Sequence, residues 1–230
     1  GPTGQTQRSF SVWFKTTATN DMTIFGYGAS SCRQSVQLRL NHNANYSAAY
    51  NGTTCPYTKG VAAVHGCHNG NFDAIVSDGQ WHHVVATREK STGTMSVYVD
   101  GVLENTQVTT NTGSLTLPSY IYIGGQDYNS KYYKGQIEEV AVWTSTISSD
   151  GVAALYNSGS PLNVLADVGG YTSSSNLQGY WKFNDQSGST AEDASTSNND
   201  GEILGPTWVD DESDGNVFTA TLTPIAHGWV

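Results

Sequence analysis

Apolar and polar residues alternate along much of this chain with a period of two. In residues 9–15, Phe10, Val12 and Phe14 alternate with Ser11, Trp13 and Lys15. A strand sends successive side chains to opposite faces, so this pattern predicts a strand with one face in a core. Residues 22–27 and 35–40 predict two more, the second with the alternating run QLRL. An apolar run of Trp81, Val84, Val85 and Ala86 follows the Asp78-Gly79 turn signal. Met95, Val97 and Val99 then alternate with Ser96 and Tyr98, and Asp100-Gly101 leads directly into a strand over residues 102–110. Asp-Gly tolerates positive φ at both central positions, so these two strands read as a hairpin with a type I′ turn. Residues 120–124 predict another strand, and Ile137, Val140, Val142 and Trp143 the next. The one helical signal is local. Ser148-Ser149-Asp150 supplies an N-cap for a short helix near residues 149–156, and Asn157 and Gly159 stop it. Phe218, Ala220 and Leu222 alternate with threonines and predict a last strand. Such strands, divided by Gly, Asn, Ser and Asp turns, predict an all-β protein built as a two-sheet antiparallel sandwich.

Three motifs sharpen this reading. DGQWHHVVA (residues 78–86), VYVDG (97–101) and GQIEEVAVW (135–143) follow one another in this order. Their order and spacing resemble the laminin G-like and pentraxin-like domains of the concanavalin A-like jelly rolls, over roughly residues 9–158. The resemblance implies a concanavalin A-like jelly roll and makes the short helix after the last motif an expected feature. A second block, residues 177–209, resembles a segment with which many members open the domain. Here it follows the helix. Residues 1–176 are therefore read as the jelly-roll body, and residues 177–230 as a segment adding strands to the same sandwich. The alternative is that residues 177–230 begin a second repeat.

A length of 230 residues suits one large β domain, with or without a small appendage. The net charge of −10 is unevenly spread. Residues 1–134 hold nine Lys/Arg and seven Asp/Glu, and residues 135–230 hold one and thirteen, giving +2 and −12. That balance excludes nucleic acid and anionic membrane surfaces as partners, since phosphate binding needs basic surface. No apolar run approaches the ~18 residues of a membrane span, so no membrane insertion is expected. The chain opens on Gly1-Pro2, which reads equally as native sequence or as a protease scar, and no signal-peptide pattern is visible. The cysteines Cys32, Cys55 and Cys67 are disulfide candidates whose pairing is open. Free thiols, or zinc with His65 and His68, are the alternatives. A disulfide would place the protein outside the cell.

Two segments carry candidate chemistry. Residues 192–201 are rich in Asp, Ser and Asn and end in Gly201. In the family that this chain resembles, such a loop often binds Ca²⁺ together with an acidic residue of the IDEV-type strand. The resemblance therefore implies Asp193, Asn198 and Glu138 or Glu139 as ligands, although STSN lacks the family glycine and Glu138 replaces its Asp. A solvated Asx-rich turn has the same composition. The second segment, residues 126–133, places Asp127, Tyr128, Asn129, Tyr132 and Tyr133 together. Sugars are held by aromatic rings against their C–H faces and by amides or carboxylates at their hydroxyls. Tyr132 or Tyr133 capping the core is the alternative. Residues 41–71, with Tyr46, Tyr50 and Tyr57 among Asn and Gly, are a further contact candidate.

Catalysis is not expected. Glu138 and Glu139 are neighbours on a predicted strand and should point to opposite faces, as should His82 and His83. A glycosidase needs two carboxylates ~5–9.5 Å apart across a cleft. No GxSxG, HExxH or phosphate-loop motif is present. The expected function is a non-catalytic module for glycan or cell-surface binding and adhesion, calcium-stabilised, at an extracellular, cell or virion surface. A structural spacer or assembly domain of an adhesin, fibre or virion, and an accessory domain of a polysaccharide-active enzyme, are the alternatives.

Overall fold

A computed structural model describes residues 6–20, 22–28, 35–40, 63–64, 76–108, 121–125, 132–185, 187–205, 207–209 and 217–221. Cys32, Cys55, Cys67, Asp127, Tyr128 and Asn129 lie outside these residues. The described strands are β1 (Arg8–Lys15), β2 (Met22–Gly28), β3 (Ser35–Leu40), β4 (Ala63–Val64), β5 (Trp81–Arg88), β6 (Thr94–Val99), β7 (Val102–Val108), β8 (Ile121–Ile123) and β9 (Lys134–Trp143). After α1 (Ser149–Tyr156) come β10 (Leu177–Trp181), β11 (Thr190–Ala191), β12 (Gly201–Glu202), β13 (Thr207–Val209) and β14 (Val217–Thr221).

Two antiparallel sheets face each other. The larger runs β13-β14-β9-β1-β5-β6-β7, with β10 also on β9, and the smaller runs β4-β3-β2-β8. The alternation in β1 does what the sequence pattern predicts. Phe10, Val12 and Phe14 enter the core between the sheets, where they meet Met22, Ile24, Leu38, Leu40, Val84, Val97 and Ile137. Sheets left unstacked would leave such rows in water, so burial of these side chains is the main force holding the layers together.

The outer face of the larger sheet carries a second apolar layer. Val85, Ala141 and Trp143, with Tyr180 of β10 beside them, pack there under Val152 and Leu155 of α1 and under Val164 and Tyr171. Ser148 caps α1 by accepting the Gly151 N–H at 3.1 Å, and Asn157 ends it with φ 46°. Trp143 Nε1 donates to the Tyr171 hydroxyl (2.8 Å), which donates to the Val164 carbonyl (2.9 Å). These two bonds fasten the segment after the helix to the sheet. The β6–β7 turn has φ 50° at Asp100 and φ 79° at Gly101, as the Asp-Gly reading requires.

β9 departs from simple alternation. It pairs with β1 along one edge, while its other edge is shared between β14, beside Lys134–Ile137, and β10, beside Val140–Trp143. Trp13 lies opposite Glu138, yet Ser11, two residues back, lies opposite Ala141, three residues on. One extra residue is therefore accommodated as a bulge, with Glu139 at φ 52°. Ile137 and Val140 both face the core. The expectation that Glu138 and Glu139 point apart is thus corrected: the bulge suspends the period of two between the inward Ile137 and Val140, leaving Glu138 opposite the outward Trp13 and Glu139 against the Tyr180 hydroxyl of the outer layer.

Candidate functional site

One end of the sandwich gathers the described residues that flank the two Tyr- and Asn-rich segments. Lys15, the last residue of β1, lies opposite Trp81 on one side and Gln136 on the other. Met22 at the start of β2 lies opposite Leu40 at the end of β3, and its sulfur accepts the Lys134 N–H at 3.3 Å, joining the two sheets. Leu40 is where residues 41–62 leave the smaller sheet. They rejoin it at Ala63, opposite Arg39. The ends flanking residues 126–131 meet here as well. The Tyr133 N–H donates to the Gly124 carbonyl at 2.8 Å, and the Gly124 N–H donates to Ile24. The two Tyr- and Asn-rich segments therefore spring from the same rim.

Tyr133 holds this rim from inside. Its side chain is fully buried, with its ring perpendicular to Phe14 at 6.4 Å. Its hydroxyl donates to the Lys15 carbonyl at 2.8 Å, with the Gln136 carbonyl at 3.2 Å. Burial pushes that hydroxyl far above its ordinary pKa. Expected as a ligand contact, Tyr133 is instead a packing residue that ties β1 to β9. Tyr132 is half-buried against the core. Gly135 makes the Tyr133 position possible: a Cβ there would lie 2.2 Å from the Lys15 carbonyl oxygen and 2.6 Å from the Tyr133 hydroxyl.

His82 and His83 part as expected. His83 is buried on the outer face, stacked on Trp13 at 4.9 Å, with Nε2 2.7 Å from Ser11 Oγ. Burial pushes its pKa down to about 3. Its Nδ1 has no hydrogen-bond partner. His82 lies at the rim beside Phe14, between the carboxylates of Asp78 and Asp100.

The residues proposed for calcium do not assemble. Asp193 is buried, and its two oxygens accept four hydrogen bonds. Oδ1 takes the N–H groups of Tyr180 (2.8 Å) and Ser195 (2.9 Å). Oδ2 takes the Ser195 hydroxyl (2.9 Å) and the Asn199 N–H (2.8 Å). A carboxylate offers about four acceptor positions, so this one is filled. The Tyr180 carbonyl also accepts the Ala194 N–H, so the loop lies on the edge of β10 away from β9. Glu138 and Glu139 lie across that strand, where the Glu139 carboxylate accepts the Tyr180 hydroxyl. Asn198 is exposed, with φ 51°. Among the described residues no three His, Cys, Asp or Glu side chains converge as a metal site would need. Asp193, Asn198, Glu138 and Glu139 therefore do not fit a shared calcium site, and Asp193 fits a role in holding the loop to β10.

Residues that the sequence reading passed over do much of this work. Asp78 and Asp100 belong to the two Asp-Gly turn signals, and Gly135 opens the GQIEEVAVW motif; none of the three was expected at a site. The period-two pattern placed His82 and Asp100 at strand ends without showing that they meet.

Two layered antiparallel sheets and a helix packed on the outer face of the larger one define a jelly-roll sandwich of concanavalin A type. Residues 2–153 match the laminin G model of the concanavalin A-like lectin/glucanases superfamily, and the chain belongs to that family. Among solved structures it is similar to a Bacteroides ovatus protein suggested to bind carbohydrate, with TM-score 0.62 and 20% identity. That likeness covers 97% of this chain and 56% of the other, so the chain spans little more than half of that relative. It is also similar to a native heptameric SAP-like pentraxin from Limulus polyphemus, with TM-score 0.50 and 18% identity over 67% of this chain and 71% of the other. No curated protein matches it significantly. Among the described residues no helix is long and apolar enough to cross a membrane.

Proposed function

We propose that this chain is a non-catalytic carbohydrate-binding module that recognises glycan at the rim from which residues 41–62 and 126–131 spring. The observation that carries this reading is the common root of those two segments. Leu40, Ala63, Gly124 and Tyr133 bring four chain ends to one end of the sandwich. Recognition residues sit well on loops held by a rigid scaffold, and this base is pinned by backbone bonds and a buried tyrosine. Tyr128, Tyr132, Asp127 and Asn129 then supply ring faces and hydroxyl partners. Family membership and the description of the Bacteroides ovatus relative point the same way. The non-catalytic part rests on the engagement of the described acid–base groups: Asp193 is saturated, Glu139 holds Tyr180, His83 is sealed under Trp13, and His82 is ion-paired. On this reading the module works outside the cell, on a secreted or surface-assembled protein.

A glycan array probed with the full chain tests the idea. Binding to a defined glycan class, weakened at least about tenfold by Tyr128→Ala or Asp127→Ala, is expected, since one sugar contact is worth roughly 1.4 kcal/mol or more. An array without signal at high protein concentration overturns the assignment. Release of reducing sugar from the bound glycan overturns its non-catalytic part.

A further inference from the structure

Both ring nitrogens of His82 face carboxylates. Nδ1 lies 2.8 Å from Asp100 Oδ2, and Nε2 lies 3.1 Å from Asp78 Oδ1. A neutral imidazole has one N–H and one bare lone pair. Either tautomer would set a lone pair against a carboxylate, and only the imidazolium donates to both. The carboxylates belong to different turns. Asp78 lies in the turn that enters β5, where its Oδ1 also accepts the Gln80 N–H at 2.8 Å. Asp100 opens the β6–β7 turn, where its Oδ1 accepts the His83 N–H at 2.8 Å. From β1 the imidazole meets the uncharged ring of Phe14 at 6.3 Å. Asp100 and Asp78 are the charged groups that act on it.

We propose that His82 is a proton-operated clip, in which the imidazolium fastens the turn entering β5 to the β6–β7 turn and loss of its proton frees the Asp78 side. The asymmetry follows from geometry. The Asp100 contact is shorter, and its side chain is 30% exposed against 43% for Asp78. Asp100 is tied further by the His83 N–H. The neutral ring therefore keeps its proton on Nδ1 and turns a bare Nε2 toward Asp78. The hydrogen bond that His82 donates to Asp100, followed by that to Asp78, raises the His82 pKa against the opposing effect of burial. The clip is closed in acid and opens as pH rises through that raised pKa. It stands whatever the rim binds.

The turn carries its own reporter, because the Gly79 N–H donates to the Thr16 carbonyl at 2.9 Å. Ring nitrogen NMR of His82 and amide exchange of Gly79 are followed from pH 5 to 9 on the full, ¹⁵N-labelled chain. The His82 midpoint is expected above the ordinary ~6.5, with the remaining proton on Nδ1 at high pH. Gly79 exchange, corrected for its intrinsic pH dependence, should accelerate through the same midpoint, up to about tenfold for each unit the midpoint is raised. Asp78→Asn should lower the midpoint and remove the pH step at Gly79. A midpoint at or below 6.5, a neutral ring protonated on Nε2, or Gly79 exchange indifferent to the midpoint each overturns the proposal. The first two are read on the unsubstituted chain, so the outcome does not depend on the variant folding.

Discussion

Replacing Asp193 with Ala should be among the most damaging single changes in the described structure. The carboxylate accepts the N–H groups of Tyr180, Ser195 and Asn199 and the Ser195 hydroxyl, all within 2.9 Å, at 6% exposure. Alanine leaves three backbone donors without their acceptor, while the hydroxyl can rotate away. An orphaned buried donor costs roughly 1–3 kcal/mol, so the three bound the loss at about 3–9 kcal/mol. Water entering the space left by the carboxylate recovers part of this, and about 3–5 kcal/mol is expected. That is a large share of the ~5–15 kcal/mol that typically holds a domain. Asp193→Asn keeps the oxygen facing Tyr180 and Ser195 but sets an NH₂ group against the Asn199 N–H, so about half the loss is expected. Urea unfolding followed by tryptophan fluorescence measures both, since Trp181 is buried in the same strand and its Nε1 donates to the Asn199 carbonyl at 3.0 Å. A loss below about 1 kcal/mol for Asp193→Ala would show that the loop stands without its carboxylate and would refute this reasoning.

Three further outcomes follow from the same contacts. Millimolar Ca²⁺ or EDTA should leave the melting temperature unchanged, because a ligand stabilises only by binding the folded state and Asp193 has no acceptor position left; a rise with Ca²⁺ would reveal a ligand set elsewhere in the chain. Tyr171→Phe strips Trp143 Nε1 and the Val164 carbonyl of their shared partner and should cost about 2–4 kcal/mol in chemical denaturation, with an effect near zero counting against the lock on the segment after α1. Gly135→Ala drives a Cβ into the Lys15 carbonyl and the Tyr133 hydroxyl, so a loss of at least about 2 kcal/mol is expected, and weaker glycan binding if the rim is the site.

How far the sequence was legible depends on what kind of information each feature uses. Phe10, Val12 and Phe14 announce their face because burial and the period of two act on every residue of β1. The β6–β7 turn and α1 announce themselves because Asp-Gly and Ser-capped starts solve local backbone problems. The bulge in β9 left a fainter trace. Ile137 to Val140 is a step of three where a regular strand takes two, and Glu138 and Glu139 fill it. Tyr133 was misread because composition cannot tell a ring aimed outward from one aimed inward. The decisive contact, its hydroxyl on the Lys15 carbonyl, spans 118 residues of sequence. The calcium set failed for a topological reason. Asp193 and the two glutamates all border β10, but on opposite edges, and no spacing along the chain encodes which edge a loop will take.

His82 and His83 show what one step along a strand can change. They are covalent neighbours with opposite environments, so they should tilt stability in opposite directions with pH. His82 has a raised pKa, so its contribution is complete below about 6.5, the unfolded value, and is lost as pH rises through the folded one. His83 is held neutral down to about 3, because burial opposes its charge. Between 6.5 and 3 the unfolded chain takes up a proton there that the folded chain refuses, so stability falls with falling pH. The slope is about 1.4 kcal/mol per pH unit. Together the pair places a stability maximum just above pH 6.5, between the unfolded value and the raised pKa of His82, with His82 shaping the alkaline side and His83 the acid side. The described carboxylates with lowered pKa values, Asp78, Glu89 and Asp167, withdraw support at more acid pH, while Asp185, raised by burial, adds some as pH falls, so the His83 contribution is read at pH 4.5–6.5 as the difference between the unsubstituted chain and His83→Phe. Urea unfolding at half-unit steps from pH 4.5 to 9 separates the limbs. His82→Gln should flatten the alkaline limb relative to the unsubstituted chain, and His83→Phe should flatten the acid limb whatever its absolute stability. An acid limb of unchanged slope in His83→Phe would mean that the folded state does protonate this ring, against the cost of charging a fully buried imidazole.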